Sequence, residues 1–167
     1  MQNVILTGFM GTGKSTVGRL LAVRLGYRFV DTDAWIVAQD GRSIPTIFAQ
    51  VGEAAFRQWE VQAAQTLAAK RGLVIATGGG LLLNPVNVAA LAPTGPIFCL
   101  TARPETILQR LQGDETERPL LNHPHPAQRI QQLLAERAEA YGRFPPIPSD
   151  NQTPEQVAAH ILQHLET

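Results

Sequence analysis

Cysteine is almost missing from this chain. Cys99 is the single one, so no intrachain disulfide can form. Its place inside the apolar run PIFCL reads as a small core residue on a buried strand rather than a nucleophile. Excess charge of one sign is missing too: 14 Lys and Arg face 14 Asp and Glu. That balance removes the electrostatic argument for nucleic acid or an anionic membrane surface as a partner. A small anionic ligand needs only a few placed cations and is not excluded. No apolar run approaches the ~20 residues of a membrane span. The N-terminus has neither the basic-then-apolar pattern of a secretion signal nor an Arg- and Ser-rich transit sequence. The expectation is a cytoplasmic protein, a monomer, with small-molecule ligands.

What is present is an alternation. Short apolar runs, NVILT, YRFVD, GLVIAT and GPIFCL, are separated by longer helical patterns at Lys14–Leu25, Ala34–Gln39, Glu53–Arg71 and Pro104–Gln112. Continuous apolar strands between helices imply a parallel sheet covered on both faces, an α/β doubly wound pattern. A fifth strand near Ile147 is crowded by Pro145, Pro146 and Pro148, which confine it to an edge. A last helix starts after Thr153, where Thr153 and Gln156 match a capping box and Pro154 takes the first helical position. The polar, proline-rich stretch Gly113 to Pro126 is long for a connection in a compact domain and reads as a mobile lid. With no internal repeat and no long linker, residues 1–167 read as a single domain.

The strongest motif is GFMGTGKST, residues Gly8 to Thr16. Gly8-x-x-x-x-Gly13-Lys14-Ser15 fits the phosphate-loop pattern, with a strand before it and a helix after it. Glycines let backbone N–H groups reach phosphate oxygens, and the following helix adds the positive end of its dipole. In this motif Lys14 serves the β- and γ-phosphates and Ser15 a magnesium ion. The motif is specific for binding a nucleoside triphosphate and silent about the reaction that follows.

Further along, Asp31 and Asp33 flank Thr32 at the end of the second strand, where alternate residues point to the same side and strand ends face the ligand crevice. Three consecutive glycines, Gly78, Gly79 and Gly80, end the third strand and indicate a close approach to something. Arg57 lies in a helical stretch, Arg118 in the lid, and Arg137 on the helix beyond it. A phosphate loop, two carboxylates, a glycine wall, two arginines for an anionic acceptor and one on a lid spell phosphoryl transfer from ATP to a small anionic alcohol. The histidines, including His160 and His164 on the last helix, read as surface residues, and Trp35 and Trp59 as packing residues.

Taken in order, GFMGTGKSTVGRLLA, FVDTDAWI, SIPTIF, GEAAFRQWE, IATGGG, RPLL and ERAEAY resemble shikimate kinase from residue 3 to about 141. The resemblance implies a P-loop NTPase of the nucleoside-monophosphate-kinase type, a five-stranded parallel sheet flanked by helices, with a substrate-binding region at about 32–60. It implies phosphorylation of shikimate at its 3-hydroxyl, in the route to chorismate and the aromatic amino acids. Gly11, Thr12, Gly13, Lys14, Ser15 and Thr16 would hold ATP, with Arg110 along the adenine. Ser15, and Asp31 through water, would serve Mg2+. Asp33 would bind ring hydroxyls and accept the reacting proton. Arg57 and Arg137 would grip the substrate carboxylate, and Gly78, Gly79 and Gly80 would press on the ring. Arg118 would neutralise the transferring phosphoryl group, and Phe48, Phe56 and Glu60 would line or support the pocket. Two other readings stay open: another small-molecule kinase of the fold, such as a gluconate kinase, and a catalytically silent nucleotide-binding module.

Overall fold

The computed structural model describes residues 1–113 and 123–167. Five parallel strands form one sheet: β1 (Val4–Thr7), β2 (Arg28–Asp31), β3 (Leu73–Ala76), β4 (Ile97–Thr101) and β5 (Pro146–Pro148), in the order β2-β3-β1-β4-β5. The described helices are α1 (Lys14–Leu25), α2 (Thr32–Asp40), α3 (Ile44–Ala68), α4 (Pro85–Leu91), α5 (Pro104–Gln112), α6 (Pro126–Tyr141) and α7 (Pro154–Leu165).

The apolar runs are continuous because both sheet faces are covered. On one face Val4, Leu6, Val74, Phe98 and Leu100 pack with Val17 and Leu21 of α1 and Val157 and Ile161 of α7. Alternate residues Ile5, Leu73, Ile75 and Ile97 point the other way, toward Ala64 and Leu67 of α3 and Leu91 of α4. Each fully buried Leu or Ile of this kind is worth about 1.5–3 kcal/mol. The strand after which the phosphate loop turns, β1, is central, paired with β3 on one side and β4 on the other. Strand order reverses there, which opens a crevice at the carboxyl ends of the strands.

The proline-rich strand lies at the edge as expected. Among the described residues β5 pairs with β4 alone, through the Pro145 carbonyl accepting from Cys99 N–H at 2.9 Å and Ser149 N–H donating to Thr101 O at 2.8 Å. Neither bond asks a proline for a donor. The capping box on α7 forms: Thr153 Oγ1 accepts from Gln156 N–H at 3.2 Å and Gln156 Oε1 from Thr153 N–H at 2.8 Å.

Two helical segments escaped the sequence pattern. α4 is short, capped by Asn84, whose Oδ1 accepts from Val86 N–H at 3.0 Å. The front part of α3 begins after the Ser43 cap and is set off by a break at Gly52 (φ 86°, ψ 172°), a conformation that only glycine takes readily. The helix over Glu53–Arg71 is thus the rear part of a longer span that ends at Ala68.

Candidate active site

The phosphate loop joins β1 to α1 with its glycines in left-handed or otherwise glycine-favouring conformations: Gly8 φ 132°, Gly11 φ 76°, Gly13 φ 98°. Gly8 rests against β4 so closely that a Cβ there would collide with the Leu100 carbonyl oxygen. Gly13 caps α1 without a side-chain acceptor, and no acidic residue stands in the first turn. The helix therefore turns its first N–H groups and dipole toward the loop with no acidic side chain of its own first turn to answer them. Lys14 Nζ folds back over the loop and donates to Gly8 O at 2.6 Å and Phe9 O at 2.9 Å. Thr12 Oγ1 donates to Phe9 O at 2.7 Å, and Thr16 stands exposed on the first turn of α1.

Asp31 ends β2 and caps α2. Its Oδ1 accepts from Asp33 N–H at 2.9 Å and Ala34 N–H at 3.1 Å, while Oδ2 accepts from the Ser15 hydroxyl at 2.6 Å. The expectation that Asp31 and Asp33 share a strand face needs correction: Asp33 lies in the first turn of α2. The two carboxylates are neighbours because one caps the helix that carries the other. Thr32 between them is buried and accepts from Gly78 N–H at 2.8 Å, fastening α2 to the glycine run.

The glycine run gathers the charged side chains. A Cβ added at Gly78 would lie 2.6 Å from Asp33 Oδ1, one at Gly79 3.3 Å from Arg137 Nη1, and one at Gly80 2.5 Å from Arg57 Nη1. The same point at Gly79 is 3.7 Å from Gly8 O, the carbonyl that receives Lys14. None of the three glycines lies in the left-handed region; what they supply is the missing Cβ. Asp33, Arg57, Arg137 and the phosphate loop thus meet at one place.

Each arginine is held. Arg57 donates from Nη1 to Glu60 Oε1 at 2.6 Å and from Nη2 to Glu53 Oε1 at 3.1 Å. Arg137 Nη1 reaches Tyr141 Oη at 3.4 Å, its guanidinium carbon is 5.4 Å from the Phe9 ring centre, and Tyr141 Oη donates to Gly79 O at 2.6 Å. The Glu60 side chain is 2% exposed. Burial pushes its carboxyl up to about 6 against the pull of Arg57, with Asp33 adding to the rise and Arg137 opposing it. Phe48 and Phe56 pack at 5.0 Å beside this group, and Trp35 and Trp59 stand edge-on at 6.4 Å.

Arg110 is half-buried and pins the phosphate loop to the chain after β5. Nη1 donates to Gly11 O and Ser149 Oγ, both at 3.0 Å, and Nη2 to Ser149 O at 2.8 Å. Arg118 and residues 114–122 of the expected lid lie outside the described residues. Among the described residues, no group of three or more His, Cys, Asp and Glu is placed to hold a metal ion, and no helix is long and apolar enough to cross a membrane. Cys99 is buried, its thiol pushed up to about 11 by burial, with Lys14 pulling the other way.

Sequence reasoning passed over Thr32, Glu53 and Tyr141. Tyr141 offered the clearest signal, one turn beyond Arg137 in ERAEAY, the spacing at which helical side chains meet.

This geometry has close relatives. A family profile described as shikimate kinase matches residues 10–166. The chain belongs to the shikimate kinase family. A shikimate kinase of Geobacter metallireducens is 44% identical over 167 residues, 99% of this chain and 93% of that protein. The solved shikimate kinase from Acinetobacter baumannii in complex with shikimate superposes with a TM-score of 0.94 at 36% identity, covering 99% of this chain and 93% of the other. A sugar kinase from Janibacter shares the fold alone, with a TM-score of 0.66 at 21% identity, covering 99% and 95% of the two chains. For this member of the shikimate kinase family, the P-loop α/β architecture expected from the sequence is the one found.

Proposed function

We propose that this chain transfers the γ-phosphoryl group of ATP to the 3-hydroxyl of shikimate, giving shikimate 3-phosphate and ADP in the route to chorismate and the aromatic amino acids. The observation that carries this is the convergence of Asp33, Arg57 and Arg137 on Gly78–Gly80, beside the loop that holds Lys14. One carboxylate and two guanidiniums next to a phosphate loop suit an acceptor that is both an alcohol and an anion.

In this assignment Gly11–Thr16 cradle the phosphates, and Lys14 leaves the Gly8 and Phe9 carbonyls to meet the transferring group. Arg57 and Arg137 receive the acceptor carboxylate in charge-assisted contacts. Asp33 accepts a ring hydroxyl and its proton. Gly78–Gly80 flank the ring, and Phe48, Phe56 and Glu60 line or support the pocket. Arg110 flanks the base, and Arg118 enters with the lid to stabilise charge on the phosphoryl group. Catalysis of this kind is mostly positioning and charge stabilisation. Residues 1–167 act as one kinase domain, with the cytoplasm, where ATP is at hand, as its setting.

Ser15 Oγ and the Asp31 carboxylate, 2.6 Å apart next to the start of α1, are hard oxygen donors of the kind Mg2+ takes. Ser15 would hold the ion directly and Asp31 through water. When bound, Mg2+ neutralises charge on the β- and γ-phosphates.

A gluconate-type kinase is the second reading, and the paired arginines with the glycine run weigh against it. A silent nucleotide-binding module would be expected to have lost Lys14, an aspartate or an arginine, and all are present. The test is ADP release from ATP in the presence of shikimate, gluconate and other small hydroxy acids. Stimulation by shikimate alone is expected; stimulation by gluconate, or by none, overturns the assignment.

A further inference from the structure

We infer that Gly78 and Gly80 are positioning residues whose missing side chains make room for Asp33 and Arg57, so that they set acceptor affinity through those two side chains. This rests on the acceptor assignment above and goes beyond it. A glycine run beside a substrate is ordinarily taken to let the ligand approach the backbone. Here the space that a side chain would fill is taken by the protein itself. At Gly80 an added Cβ would be 2.5 Å from Nη1 and 3.1 Å from both Cζ and Nη2 of Arg57; at Gly78 it would be 2.6 Å from Oδ1 and 3.3 Å from Cγ of Asp33. Carbon does not sit within 3 Å of such atoms, so the guanidinium or the carboxylate must leave.

What moves decides the consequence. At Gly80 and Gly78 the obstructing atoms are the far ends of side chains, and neither glycine lies in the left-handed region. An alanine there is therefore compatible with the backbone, and the fold survives. Arg57, however, is tied to buried Glu60 at 2.6 Å, so displacing its guanidinium breaks the contact that aims it. Gly79 differs in degree: its nearest neighbour is Arg137 Nη1 at 3.3 Å, a distance that small adjustments relieve. The three glycines are thus unequal. Gly80 governs Arg57, Gly78 governs Asp33, and Gly79 is the most tolerant for side-chain placement.

The test is a double-mutant cycle read by calorimetric titration of shikimate into the full chain, with ADP binding as the control for an intact nucleotide site. Gly80→Ala is expected to weaken shikimate binding about tenfold or more, with ADP affinity unchanged. Adding Gly80→Ala to Arg57→Ala should then cost little further, because the side chain through which Gly80 acts is gone. Full additivity of the two would overturn the inference and leave Gly80 acting on the ligand directly. An unchanged shikimate affinity in Arg57→Ala alone would instead overturn the acceptor assignment, so the two failures are distinct. Gly78→Ala with Asp33→Ala reads the same relation at the second position, should Gly80→Ala not fold. Loss of folding in both glycine variants contradicts the inference, which requires the backbone to accept them.

Discussion

Arg57 and Glu60 form an ion pair of unequal partners: Nη1 meets Oε1 at 2.6 Å, with the arginine side chain 36% exposed and the glutamate side chain 2% exposed. Glu60 Oε2 makes no hydrogen bond among the described residues. The buried carboxylate thus has one strong partner, and the arginine, which also meets the exposed Glu53 at 3.1 Å, keeps an exposed side for a further anion. A pair built this way aims a guanidinium toward solvent from a fixed base.

Arg57→Ala removes the guanidinium end of that relation and leaves the buried Glu60 carboxyl without its Arg57 partner. Affinity for shikimate is expected to fall by about 2–4 kcal/mol, the range for leaving a carboxylate poorly paired. The nucleotide side should be unaffected. Titration of shikimate and of ADP into the variant checks both; an unchanged shikimate affinity would remove Arg57 from the acceptor site.

Glu60 carries a pH dependence of stability with a definite sign. Its carboxyl rises from the ordinary 4.5 to about 6 in the fold, burial being the main cause. Between those values the native state binds the proton more tightly than the unfolded chain. The stabilisation is therefore complete below 4.5 and lost as pH rises through about 6, amounting to about 2 kcal/mol. Denaturant unfolding from pH 4 to 7 should show wild type losing stability relative to Glu60→Gln as pH rises through this window. Parallel curves would remove Glu60 as the titrating group.

Lys14→Ala should lower turnover by about a hundredfold or more, the scale on which single charge-stabilising donors act. Lys14 bonds the Gly8 and Phe9 carbonyls of its own loop, so a small loss of stability is expected alongside, with the fold intact by circular dichroism. Near-normal turnover would take the lysine out of the mechanism.

Gly8→Ala should behave unlike Gly80→Ala. Gly8 has φ 132° and a Cβ there falls on the Leu100 carbonyl oxygen, backbone of a central strand pair that cannot swing aside. A loss of about 3 kcal/mol or more, or failure to fold, is expected. A Gly8→Ala protein with the wild-type melting temperature would show that β1 and β4 can separate at no cost.

Much of the fold was legible in local pattern. Apolar runs such as VILT and LVIA mark strands buried on both faces, and the Thr153–Gln156 box marks the start of α7 within one helical turn. The front of α3 and the short α4 were not legible, because the first is severed at Gly52 and the second spans only seven residues, too few for a helical period to declare itself. Asp31 and Asp33 were read as neighbours for the wrong reason. Strand alternation suggested it, whereas an N-cap brings it about.

The sequence by itself determined that a phosphate loop follows a strand and opens a helix, and that something comes close to Gly78–Gly80. Both are statements about backbone, and backbone constraints are written in the residues that obey them. Only the tertiary structure decided what comes close: the carboxylate of Asp33 and the guanidiniums of Arg137 and Arg57, carried in from α2, α6 and α3. A glycine records that a Cβ is not wanted. Which neighbour fills the space depends on how distant helices pack over the strand ends, and that is settled by the core of the whole sheet rather than by any one segment.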